Sequence, residues 1–212
     1  MQKRICATMA AYHNMDTPEI EFDKLFPFRK TRDFIRNMDM SAAQNSLSFI
    51  SHLEENLRDI QALIRPLNEE IAFCHNDLLA HNVIFDESSG RVLFIDYEYA
   101  DFNYALFDIG NHFCEFAGVE EPDYSKCPNK EEIRSFLRIY LEARQGNVDE
   151  DRLETMLRRV PLFQAFSHLL WSAWAVVQSQ NSTLDFDYAS YAAIRYEQYK
   201  KCLDSYCSDL RN

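Results

Sequence analysis

His75, Asp77, Asn82 and Asp96 are the residues of this chain whose types and spacing suit a chemistry. A carboxylate such as Asp77 can orient and deprotonate an attacking hydroxyl. An amide oxygen (Asn82) and a second carboxylate (Asp96) can hold Mg2+, a hard cation that prefers oxygen ligands. The pattern runs H-x-D-x4-N, then on to an Asp that follows four apolar residues, Val92 to Ile95. Together these groups suit phosphoryl transfer to an alcohol, which depends on placement and charge neutralisation. Asp77 is then the base, His75 braces its loop by hydrogen bonding, and Asn82 and Asp96 are the metal ligands. The plainer alternative is that His75 and Asp77 cap a loop and Asp96 ends a strand.

The elements around these residues must bring them together. Ile71 to Cys74 is a short apolar run leading into His75. Val83-Ile84-Phe85 and Val92-Leu93-Phe94-Ile95 flank the turn-forming cluster 86–90, which predicts a β-hairpin. Such a hairpin returns Asp96 towards Asn82. Elsewhere the period is helical: residues 2–13 with Ile5, Met9 and Tyr12 on one face, and 45–64 with Leu47, Ile50, Leu53, Leu57, Ile60 and Ile64. Further helices are expected at about 105–117, 129–144, 149–178 and 186–207, with a break or kink at Pro161. Residues 14–29, holding Pro18 and Pro27, read as a loop. The expected fold is one mainly α domain over 1–212 with a small β-hairpin.

Composition agrees and excludes other classes. The 212 residues contain only four glycines and carry a net charge of −12. Scarce glycine favours helix, and the negative charge argues against nucleic acid as a partner. Six scattered cysteines without a CxxC pair read as small apolar side chains in a reducing compartment. No secretory signal is evident, and the longest apolar stretch, Leu169 to Val177, is too short to span a bilayer, so no membrane insertion is expected and the location reads as cytoplasmic. His75, His81, His112, Cys74 and Cys114 fit no standard zinc spacing. His13, His52 and His168 read as surface or satisfied core residues.

The skeleton at 75–96 resembles the protein-kinase catalytic loop and its magnesium-binding Asp, with Tyr97-Glu98 in place of Phe-Gly. Four segments make the resemblance more specific: Asn-Asp-Leu-Leu-x-x-Asn (76–82), Phe-Ile-Asp-Tyr-Glu-Tyr (94–99), Asn-Tyr-x-x-Phe-Asp-Ile-Gly-Asn-His-Phe-x-Glu-Phe (103–116) and Ser-His-x-x-Trp-x-x-Trp (167–174). They are similar to the choline/ethanolamine kinase family over roughly residues 1–207, and Leu78-Leu79 resembles its ethanolamine branch. The resemblance implies a protein-kinase-like C-terminal lobe that uses ATP and Mg2+ to phosphorylate ethanolamine, on the route to phosphatidylethanolamine. It implies Asp77 as base, Asn82 and Asp96 on Mg2+, and Glu98 and Glu115 at the substrate ammonium. Trp171, Trp174 and Tyr191 would form an aromatic wall, with Tyr124 a weaker member. Two Trp three residues apart share a helical face, and a cation over an indole gains about 0.5–2 kcal/mol; ordinary core packing is the alternative. Asp108 would brace the catalytic loop, or it is simply an acid favoured in a helix's first turn.

The same resemblance leads one to expect a glycine-rich loop and a strand lysine on the nucleotide. Neither is found in 1–212, so an absent N-terminal lobe, and feeble or no phosphotransfer by these residues alone, are expected. A choline kinase, or a non-catalytic module that only binds the amine, are the other readings.

Overall fold

A computed structural model describes residues 1–40 and 47–211. In chain order its helices are α1 (Gln2–His13), α2 (Phe26–Asn37), α3 (Leu53–Ile64), α4 (Ala105–Cys114), α5 (Lys130–Gln145), α6 (Glu150–Asn181) and α7 (Tyr188–Asp209). Its strands are β1 (Ile71–Cys74), β2 (Val83–Asp86), β3 (Arg91–Phe94) and β4 (Asp101–Tyr104). The mainly helical fold expected from composition is present. Contacts divide the chain into two compact units, Met1–Glu19 with Glu69–Val160, and Ile20–Asn68 with Pro161–Asn212.

The first unit holds all four strands. The predicted hairpin forms between β2 and β3, with Val83 opposite Phe94 and Asp86 opposite Arg91. Its turn is closed by the Gly90 N–H on the Asp86 carbonyl at 2.8 Å. Asp86 also accepts from the Ser88 N–H at 2.9 Å, and Gly90 takes φ +68°, which glycine adopts without steric cost. Alternation splits the hairpin into two faces: Val92 and Phe94 are buried, while Ile84, Leu93 and Ile95 are exposed. The sequence reading has one hairpin only. The structure adds a second sheet, β1 antiparallel to β4, with Ile71 opposite Tyr104 and Cys74 opposite Asp101. Helix α1 packs on α5, β1 and β3, with Ile5 and Met9 buried as expected. The helix expected at 105–117 is α-helical to Cys114 and ends in a 3-10 turn, Glu115–Ala117. Helix α5 starts at a capping box in which Asn129 and Glu132 bond each other's backbone N–H.

Three expectations change. Helix α2 begins inside the supposed loop 14–29, because Pro27 sits in its first turn, where the missing N–H costs nothing. The helix expected over 45–64 is α-helical only from Leu53, after a 3-10 segment, Ser48–His52; residues 45 and 46 lie outside the described residues. Of the break or kink expected at Pro161, the break is absent: helix α6 runs through it. An interior proline costs a helix about 3 kcal/mol, and the burial of Leu162, Phe163, Ala165 and Phe166 offsets it. By length and composition α6 could cross a membrane, contrary to the sequence reading, but 78% of its most apolar window is buried inside the protein.

The second unit packs helices by their aromatic faces. Phe28 lies 4.9 Å from Phe166, and Phe49 stacks on Tyr196 at 4.3 Å. Ser172 donates to the Ala192 carbonyl at 2.9 Å, joining α6 to α7. His168 is buried here. Burial, and then the nearby Arg195 charge, hold its pKa well below the ordinary 6.5. The folded chain therefore excludes a proton that the unfolded chain binds below about pH 6.5. Stability should fall with decreasing pH in that range by up to about 1.4 kcal/mol per pH unit for this residue. Urea unfolding of the protein and of His168→Leu between pH 7 and 5 checks this. An unchanged slope in the variant would refute it.

Candidate active site

Backbone geometry builds the loop between β1 and β2. Asn76 takes φ +67°, a left-handed conformation that asparagine tolerates better than most residues. Its buried side chain holds the loop to the segment before α4: Nδ2 donates to the Tyr99 carbonyl at 2.9 Å, and Oδ1 accepts from Asn103 Nδ2 at 2.6 Å. Half-buried Asp77 comes next. The Leu79 N–H donates to the Asp77 carbonyl at 3.0 Å, and the Asn82 N–H to the Leu79 carbonyl at 3.0 Å. Asn82 Nδ2 donates to the Asp77 carbonyl at 2.9 Å. That bond orients the Asn82 amide and leaves its Oδ1 as an oxygen donor beside Asp77.

The hairpin then does what its spacing requires. The Ile95 N–H donates to the Asn82 carbonyl at 3.0 Å, so residue 96 comes directly after a bond to the metal-ligand candidate. His75 ties the same two segments, with its Nε2 2.8 Å from the Ile95 carbonyl. A carbonyl only accepts, so Nε2 carries the proton. Its Nδ1 is buried without a partner among the described residues. These are the bonds of a brace. Asp96 is exposed and has φ +62°. A non-glycine residue held there carries backbone strain of about 1–3 kcal/mol, which tends to persist at functional sites.

Asp108 supports the loop from below, from the first turn of α4. Its Oδ1 accepts the Asn76 N–H at 2.7 Å and its Oδ2 the His75 N–H at 3.0 Å. Burial alone would raise its pKa. Hydrogen bonds from His13 and from the two backbone N–H groups outweigh that, so Asp108 stays below the usual carboxylate range. Both roles weighed in the sequence therefore coincide: this first-turn acid is the brace.

Asn82 Oδ1 and the exposed Asp96 carboxylate are both oxygen donors, the ligand type that Mg2+ prefers, with water and phosphate to fill its other positions. The exposed face of Ile84, Leu93 and Ile95 is an apolar platform that sequence reasoning missed, although the alternation along the hairpin signals it. Glu115 is buried beside a cavity of about 520 Å3 that Leu78, His112 and Phe116 also line. Glu98 is exposed and is not among those lining residues. His112 supports the loop as well, with Nδ1 2.8 Å from the Leu78 carbonyl. Burial lowers its pKa, against weaker effects of that bond and of Asp108 and Glu115.

Trp171, Trp174 and Tyr191 belong to the second unit. The two indoles meet edge to face at 5.6 Å, Trp174 reaches Tyr188 at 5.7 Å, and Phe186 lies 5.6 Å from Tyr191. The buried Arg195 already donates to the Tyr191 hydroxyl at 3.1 Å. Tyr124, in the first unit, sits in a 3-10 turn, Tyr124–Lys126.

A family model described as choline/ethanolamine kinase matches residues 1–200. The chain belongs to the choline/ethanolamine kinase family. Among curated members of the family, mouse ethanolamine kinase 2 is 48% identical over 70% of this chain and 39% of its own length. A probable ethanolamine kinase A from Dictyostelium discoideum is 35% identical over 97% of this chain and 60% of its own. The chain thus spans less than two thirds of each of these relatives. Among solved structures, an ethanolamine kinase from Plasmodium vivax is similar at a TM-score of 0.81, with 25% identity over 93% of this chain and 58% of that one.

Proposed function

We propose that residues 1–212 form the catalytic and substrate-binding lobe of a cytoplasmic, ATP-dependent ethanolamine kinase. The observation that carries this reading is the closed loop that sets Asp77 beside Asn82 and joins both to the residue before Asp96. The Asp77 carboxylate accepts the proton of the ethanolamine hydroxyl. The oxygen bonds the γ-phosphorus, the bond from that phosphorus to the ADP oxygen breaks, and phosphoethanolamine and ADP are the products. Asn82 and Asp96 would hold Mg2+, which would supply neutralisation of the phosphate charge. The platform of Ile84, Leu93 and Ile95 offers a flat apolar seat for the nucleotide base. Glu98 and Glu115 supply negative charge for the substrate ammonium, and Trp171, Trp174 and Tyr191 supply aromatic faces of the kind that attract cations. The similarity to ethanolamine kinases at 35–48% identity supports ethanolamine over choline as the amine.

Purified protein supplied with ATP, Mg2+ and either ethanolamine or choline, followed by 31P NMR, tests the activity. Phosphoethanolamine should form in excess of phosphocholine, and choline turnover equal to or above that of ethanolamine would reverse the assignment. Metal binding gives an independent check. Mn2+ titration followed by electron paramagnetic resonance should show affinity about 10–100-fold weaker in Asp96→Ala. An unchanged titration would remove Asp96 from the metal site.

A further inference from the structure

A chain of buried polar groups runs beneath the candidate catalytic loop, and the direction of its hydrogen bonds can be worked out. Arg144 has only donors to give. Its NH1 lies 2.5 Å from the Tyr140 hydroxyl oxygen and its NH2 2.6 Å from Glu70 Oε1. Tyr140 therefore accepts from Arg144, which leaves its own O–H to donate. The group facing that proton is His13 Nδ1, at 2.7 Å. Nδ1 then acts as an acceptor, and the proton of a neutral His13 ring resides on Nε2, 3.1 Å from Asp108 Oδ2. Asp108 ends the relay by accepting the N–H groups of His75 and Asn76. The ring of elements closes through Glu70, whose carbonyl accepts the Ala105 N–H at 3.0 Å at the start of α4. His13, Asp108 and Tyr140 are each no more than 2% exposed.

We infer that His13, locked as the Nε2–H tautomer by Tyr140, is a positioning residue that keeps Asp108 aimed at the backbone N–H groups preceding Asp77. One other use of the same atoms can be set against this. His13, Cys74 and Asp108 have ligand atoms within 4.8 Å of one another, a spacing a metal ion could bridge. Both ring nitrogens and both carboxylate oxygens are already engaged in bonds, however, and Cys74 Sγ lies 3.6 Å from three backbone carbonyls, of Ala72, Asn103 and Tyr104. An ion would have to break this set.

Three substitutions separate positioning from bulk stability. Gln offers one acceptor and one donor about as far apart as the two ring nitrogens of His, so His13→Gln should preserve the relay, whereas His13→Leu removes it. Amide hydrogen exchange of His75 and Asn76 should accelerate by about tenfold or more in His13→Leu, relative to the amides of β3, and by no more than about threefold in His13→Gln. Tyr140→Phe, for use should His13→Leu not fold, removes the O–H that donates to Nδ1, together with the acceptor of Arg144. 15N spectra of the His13 ring should then show a loss of the pure Nε2–H form present in the unsubstituted protein. Uniform acceleration across the unit, an Nδ1–H ring in the unsubstituted protein, or stoichiometric Zn2+ that departs with His13→Gln would each overturn the inference. The catalytic consequence, a lower kcat at constant KM in His13→Leu and its recovery in His13→Gln, rests on the phosphotransfer reading. If residues 1–212 make no product, kcat is compared in a chain that also carries a nucleotide-binding lobe; no product there fails that reading, while the exchange and ring measurements still decide this one.

Discussion

Asp77→Asn should lower phosphotransfer by about 10²- to 10⁴-fold relative to the unsubstituted chain, the range that general-base catalysis supplies. The substitution keeps the size and shape of the side chain but takes away the group that accepts the hydroxyl proton. The two shorter bonds that shape the loop are made by backbone atoms of residue 77, to Leu79 and Asn82, and survive; the side-chain bond from Asn82 Nδ2 to Asp77 Oδ2 is long, at 3.5 Å. Urea unfolding should therefore move by no more than about 0.5 kcal/mol, and Mn2+ should still bind through Asn82 and Asp96. The separation is the informative part: turnover collapses while stability and metal affinity hold. A loss below tenfold, measured as product formed per enzyme at saturating ATP and amine, would show that another group takes the proton.

The candidate residues for this chemistry could be picked out because they lie close together along the chain and sit in elements with clear periods. Alternation on both sides of a turn cluster marks β2 and β3, and the return of the chain beside Asn82 is a consequence of any hairpin of that length. The groups that hold the loop in place were less legible. His13 and Asp108 are far apart in sequence, and nothing about either residue type marks the bond between them. Asn76 and Asn103 form another such pair: both are fully buried, an uncommon place for asparagine, and only the fold shows that each satisfies the other. Strand β4 was missed for the same reason, since Asp101 and Asn103 read as loop residues until their partners are known. Pro27 misled in the opposite direction. A proline in a helix's first turn and one in a loop are identical in sequence, and only the packing of the next three turns tells them apart. Burial decided the case of Pro161, where side-chain packing along α6 outweighs one missing hydrogen bond.

The largest loss of stability is expected for Asp108→Asn. The carboxylate accepts three donors, one from His13 and two from the backbone N–H groups of His75 and Asn76. Asparagine has a single acceptor oxygen, and its amide N–H would face a second donor. At least one buried donor loses its partner, and the negative charge that strengthens the remaining bonds disappears. Breaking a buried charged network in this way costs about 3–5 kcal/mol. The pH dependence should change with it. Asp108 has a folded-state pKa below its ordinary value, so it contributes stability that is present above about pH 4 and lost as pH falls through the folded pKa. Asp108→Asn should therefore be less stable than the unsubstituted protein at pH 7, with the gap narrowing as the pH drops into the carboxylate range. Urea unfolding at pH 7 and again near pH 3 measures both quantities. A difference below about 1 kcal/mol at pH 7, the worth of one ordinary hydrogen bond, would mean that the loop carrying Asp77 is held by Asn76 and Asn103 and not by the carboxylate beneath it.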